Sequence, residues 1–169
     1  HRRVIYLLRT TFFVFLLFVP LFVTLLTVRP AFAQDQPTAR PAAQGVGATL
    51  QELARNGGEV AQVSYSRATG LVSFLRLAPT APLAAAQAQS AAPTERAAAF
   101  LTQYGVLFGV TDPARQLHLS ATTTDGWGGV HLRYDQRYAG VEVYGAQLRV
   151  HFDGNGRLLT VNGALVPEE

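Results

Sequence analysis

The stretch YDQRYAGVEVYGAQLRVHFDGNGR, residues 134–157, decides the fold, because apolar and polar residues alternate along it and glycine-bearing turns break it. Alternation at period two marks a strand with one buried face, and short glycine turns join antiparallel neighbours. Working outward, strands are expected at 116–123 (QLHLSATT), 130–138 (VHLRYDQRY), 141–152 (VEVYGAQLRVHF) and 157–162 (RLLTVN). Asp125-Gly126 with Gly128-Gly129, then Ala139-Gly140, then Asp153-Gly154-Asn155-Gly156 supply the joints. In the second strand Val130, Leu132, Tyr134, Gln136 and Tyr138 share one face, and His131, Arg133, Asp135 and Arg137 share the other. The third begins with Val141 and Val143 and continues with Ala146, Leu148, Val150 and Phe152. A period-two strand cannot move its apolar set from odd to even positions without an extra residue, so a β-bulge is predicted at Tyr144-Gly145.

Upstream the period lengthens. Thr94 is placed to cap a helix with Glu95 in its first turn, where the helix dipole favours a negative charge. Ala97, Phe100, Leu101, Tyr104, Leu107 and Phe108 follow at helical spacing as a core-facing stripe, and Gly109 and Pro113 stop the helix. Before it, EVAQVSYS (59–66) and LVSFLRL (71–77) flank Arg67-Ala68-Thr69-Gly70, a β-hairpin signature. The fold class is therefore α+β: a curved antiparallel β-meander packed against one amphipathic helix, preceded by a β-hairpin.

Arg2, Arg3 and Arg9 precede an uncharged apolar run at 10–28, and Ala31-Phe32-Ala33 supplies a small-x-small cleavage pattern. Residues 1–33 read as a signal peptide whose cleavage site is marked by Ala31 and Ala33, which makes the rest of the chain secreted or extracytoplasmic. The alternative is an uncleaved anchor, since the run approaches the roughly 20 residues that span a bilayer. Pro20 and the Ala-x-Ala favour cleavage, whereas Arg29 keeps the anchor open. Residues 34–57, rich in Pro, Ala, Gln and Gly, read as a flexible spacer with a short helix at Thr49–Arg55. Residues 58–166 are the folded domain, with an Ala/Gln/Pro linker at 78–93. The chain begins at His1 and stops directly after a strand-like segment, so a fragment truncated at both ends is expected.

With no cysteine, neither disulfides nor a thiolate metal site can form. The formal net charge is +3, yet from Gln34 onward ten arginines face eleven carboxylates, a net of −1. The basic balance belongs to the leader, so no nucleic-acid partner is expected, and a membrane is met only through that leader. His131 and His151, with Asp135 or Asp153, are a conceivable two-histidine metal site; a solvated outer face is the preferred reading. No H-E-x-x-H, G-x-S-x-G or phosphate loop occurs, so no catalytic residue, cofactor-binding residue or metal ligand is assigned. Trp127, in a turn, reads as a lid on the core ahead of an interface anchor.

The run VHLRYDQRYAGVEVYGAQLRVHFDGNGRLLTVNG (130–163) resembles the fungalysin/thermolysin propeptide family. Tyr134, Gln136, Tyr138, Gly140, Val143, Tyr144, Gly145, Val150, Asp153, Gly156, Asn162 and Gly163 occupy the motif positions, read as structural rather than catalytic. The upstream helix and hairpin are also similar, so the resemblance covers roughly residues 58–166. It implies the N-terminal pro-region of a secreted thermolysin-like zinc metalloprotease, an intramolecular chaperone and inhibitor of a catalytic domain absent from this chain. The implied partner is that catalytic domain in cis. Zinc, with calcium as a further candidate, would belong there and not to this chain. A stand-alone exported binding module of the same fold is the alternative.

Overall fold

In the computed structural model, residues 45–79, 83 and 91–168 are described, and all belong to the compact unit Asp35–Glu169. Helix α1 (Val46–Arg55) is followed by β1 (Val60–Tyr65) and β2 (Val72–Leu77), then by α2 (Pro93–Tyr104) and a 3-10 turn at Gly105–Phe108. A one-turn helix α3 (Pro113–Gln116) leads into β3 (Leu117–Thr124), β4 (Val130–Tyr138), β5 (Val141–Phe152) and β6 (Leu158–Ala164). The strands form one six-stranded sheet in the order β1-β2-β6-β5-β4-β3, antiparallel at every pairing. The α+β expectation holds, and the early hairpin is part of the same sheet because β2 pairs with β6.

The sheet has one wet face and one dry one. Leu132, Leu148, Val150, Phe152 and Val161 are buried against Phe100, Leu101, Tyr104, Leu107 and Phe108. This is the helical stripe and the inward face of each strand meeting as two layers, which removes apolar surface from water on both. The helix needs two adjustments to its expected form. Its cap is Ala92, whose N–H donates to the Glu95 carboxylate at 3.1 Å, so Thr94 lies inside the first turn. Its last turn tightens to 3-10 geometry before Gly109, at φ 81, reverses the chain.

The short helix expected at Thr49–Arg55 is present and starts earlier, at Val46. Val46, Leu50 and Leu53 recur at helical spacing, and the helix they form buries Val46 and Leu53 in the core. Asn56 Nδ2 then donates to the Tyr104 hydroxyl at 2.9 Å, tying α1 to α2. Most of the 78–93 linker and all of residues 1–33, with Ala31 and Ala33, lie outside the described residues. Leu83, within that linker, is buried with the core.

Arg96 is buried on α2, donates to the Gly156 carbonyl, and stacks over Phe152 with 5.1 Å to the ring centroid. It fastens the helix to the β5–β6 turn. Arg96→Met keeps the aliphatic stem and removes both polar interactions; a loss of about 1.5 kcal/mol in urea unfolding is the expected result.

Candidate docking surface

Many of the motif residues lie toward one or the other end of β4–β6, while Tyr134, Val150 and Gly163 lie along the strands between. The first group is the β4–β5 hairpin tip. Ala139 (φ 48) and Gly140 (φ 83) both have positive φ, as a type I′ turn requires. Below the tip, Asp135 pairs with Gln147 but Arg137 pairs with Glu142. Gln136 thus stands opposite four residues, Val143 to Ala146, and the expected bulge at Tyr144-Gly145 is present and longer than one residue. Gly145, at φ 76, accommodates the bend.

The bend turns apolar side chains outward. Tyr138 is 60% exposed, Val141 70% and Tyr144 fully exposed, with Arg137 and Glu142 paired beside them. Beneath the tip, a shallow cavity of about 360 Å³ is lined by Gln136, Tyr138, Val143, Val166, Pro167 and Glu168. Exposed aromatics around an apolar hollow are the makings of an interface anchor.

Gln136 fixes this end. It is buried, donates from Nε2 to the Val166 carbonyl at 2.6 Å, and accepts the Val166 N–H at 2.8 Å. The side-chain amide imitates a strand neighbour for the segment after β6. Alternation assigns Gln136 to the inward face but does not reveal this pairing across thirty residues. Gln136→Leu leaves both Val166 backbone groups without their partner, so stability should fall by about 2 kcal/mol, with hydrogen exchange at the Val166 amide rising most.

Tyr134, on the same inward face, is buried, and burial raises its phenol above the ordinary value.

The second group surrounds the turns at the other end. Asp153 Oδ1 accepts the N–H groups of Asn155 and Arg157, and Oδ2 accepts from Arg157 Nε at 2.8 Å. Burial alone would raise this carboxyl, but those donors outweigh it and hold the pKa below the usual carboxylate value. Gly156, at φ 75, leaves room for the Arg96 guanidinium. Asp125 acts similarly: Oδ1 accepts the Trp127 and Gly129 N–H groups at 2.9 and 2.8 Å. The Gly129 and Trp127 amides, then His131, lower its pKa.

The lid expected of Trp127 is corrected, since its side chain is 90% exposed. What packs is its backbone, whose carbonyl lies 2.5 Å from where a Cβ on Gly154 would sit. The histidine pair is also revised. His131 and His151 are direct cross-strand partners, half-buried and bonded Nδ1 to Nδ1 at 2.8 Å. The carboxylate that joins them is Asp125, not Asp135 or Asp153: its Oδ2 accepts from His131 Nε2 at 3.0 Å. His151 Nε2 bonds Asn162 Oδ1 at 2.9 Å, which gives that motif asparagine a role. Among the described residues, no group of three or more histidine, cysteine, aspartate or glutamate side chains is arranged to hold a metal ion.

Comparison with known proteins gives a match to one family model and to several curated relatives. The Fungalysin/Thermolysin Propeptide Motif matches residues 115–165, from α3 to the start of the Gln136-pinned tail. Bacillolysin of Bacillus subtilis (strain 168) is 36% identical over 83 residues, covering 48% of this chain and 16% of that protein. Thermolysin of Alicyclobacillus acidocaldarius is 38% identical over 77 residues, covering 45% and 14%, and thermolysin of Bacillus caldolyticus matches equally. The chain therefore aligns to less than a fifth of the length of these curated relatives.

Proposed function

Because residues 115–165 carry the fungalysin/thermolysin propeptide motif, we propose that this chain is the N-terminal pro-region of a secreted thermolysin-like zinc metalloprotease. In this reading it is exported by residues 1–33, has no catalytic activity itself, and acts as chaperone and inhibitor of a catalytic domain joined to it in cis. The zinc, and any calcium, belong to that domain.

The observation that carries the proposal is the division of labour among the motif residues. Gln136, Gly145, Asp153, Gly156, Asn162 and Gly163 have evident duties inside the fold, whereas Tyr138 and Tyr144 point into solvent at a bent hairpin tip. An internal core gains nothing from those tyrosines, but an interface does. Covalent linkage raises the effective concentration to roughly millimolar, so a modest surface suffices while attached and lets go once cut.

The test begins with the parent gene. An H-E-x-x-H with a downstream glutamate in the reading frame past Glu169, together with inhibition of that protease by the separate chain in trans, is the expected result. A stop codon shortly after Glu169 would replace this reading with the stand-alone exported binding module.

A further inference from the structure

We propose that Asp125, His131, His151 and Asn162 form an acid-sensitive clasp across β4, β5 and β6, which full protonation of both imidazoles opens. The case rests on counting protons. The Asp125 carboxylate can only accept, so His131 Nε2 carries a hydrogen. Asn162 Oδ1 likewise accepts, so His151 Nε2 carries one. A single hydrogen then lies between the two Nδ1 atoms. With the amide in this orientation the pair shares three protons. Turning the Asn162 amide round gives a two-proton form with every link intact. Neither form has room for a fourth proton, because two N–H groups would then face each other across 2.8 Å.

The surroundings make that fourth proton costly. Arg133 and Arg149, a cross-strand pair, occupy the next position on the same outer face. Arg76 on β2 lies opposite Thr160, the β6 partner of His151. On β3, His131 faces the neutral Thr123. Asp125 is the carboxylate bonded to the clasp; Asp135 lies further along β4, and Asp153 is engaged by Arg157. Burial lowers the His151 pKa, the Asn162 bond opposes this, and the charges of His131 and Arg149 add to the lowering. A histidine lowered in the folded state is protonated more readily when unfolded. Its contribution to stability is thus complete above the ordinary value of 6.5 and is lost as the pH falls below it. The carboxyls of Asp125 and Asp153, both below 3.8, do not titrate in that window.

Opening would separate His151 from His131 and Asn162 and relax the sheet near the 125–129 turn. Taken with the pro-region reading, on which this last step rests, mild acid loosens the domain and its hold on the enzyme.

The experiment measures the Tm of the whole chain at pH 7.5 and 5.0, for the native sequence and for His151→Gln, together with nitrogen NMR of the imidazoles. The native chain should lose roughly 5 °C on acidification, and the variant, lower at pH 7.5, should lose much less. The spectra should show a single hydrogen shared between the two Nδ1 atoms, with the rings titrating as a linked pair. Equal acid losses in the two chains, or two rings titrating independently, overturn the clasp. Inhibition in trans at pH 7.5 is scored separately. A chain that fails to inhibit yet keeps the pH-dependent difference removes the pro-region reading and leaves the clasp standing.

Discussion

Replacing Gly163 by alanine is expected to destabilise the domain by about 3 kcal/mol, at the upper end of what overpacking a tight site costs. A Cβ at this position would run into the Gln147 carbonyl and come within 2.8 Å of the Leu148 Cα, both on β5. These are backbone atoms in a paired strand, so no rotamer change relieves the contact. Relief requires β5 and β6 to move apart where Leu148 pairs with Gly163, beside the buried Leu148 and Val150 side chains. Urea unfolding followed by tyrosine fluorescence and circular dichroism measures the change. Gly126→Ala is the comparison, because that glycine has open space around its Cβ direction and should be nearly neutral. If the two variants were equally stable, the close approach of β5 and β6 at Gly163 would be wrong.

The double variant Tyr138→Ala/Tyr144→Ala should behave in the opposite way. These tyrosines are too exposed to support the core, so unfolding should change by less than about 0.5 kcal/mol. Binding to the proposed catalytic domain should weaken about a hundredfold, equivalent to ~3 kcal/mol, since desolvated aromatic anchors dominate such interfaces. Trp127→Ala, at the far end of β4–β6, should leave affinity unchanged. The dissociation constant measured in trans checks both statements. A large loss with Trp127→Ala and none with the tyrosine pair would move the docking surface to the other end.

The two variants also mark how far the sequence could be read. Alternation along 130–152 is a local signal, and from it the strands, their inward faces and the bulge at Tyr144-Gly145 could all be read. The length of the bulge could not, because it depends on which β5 residue closes the ladder opposite Arg137. Helix α1 was only half visible: its apolar residues are few and sit among Ala, Gln and Gly, so burial of Leu53 depends on α2 and the 3-10 turn being there to receive it. The links that shape the candidate sites are long-range. Gln136 meets Val166, Arg96 meets Gly156, and His131 meets His151 at separations that no window of sequence contains. Asp125 had a local clue in the glycines that follow it, since an aspartate opening such a turn commonly accepts the next amides. For Trp127 the residue type misled, because a large aromatic side chain usually seeks cover, and here only its backbone does.

The position of β6 between β2 and β5 has a consequence for how the chain is made. During synthesis the β1–β2 hairpin emerges first and the β3–β5 meander much later, and among the described residues no strand pairing joins the two until residues 158–164 arrive. Until then β2 and β5 each present an open edge, the kind of surface that invites pairing with other chains. Strand β6 works as a keystone, converting two partial arches into one sheet in a step of high sequence separation. Shortening the chain before residue 158 would therefore leave two unclosed pieces and not a smaller domain.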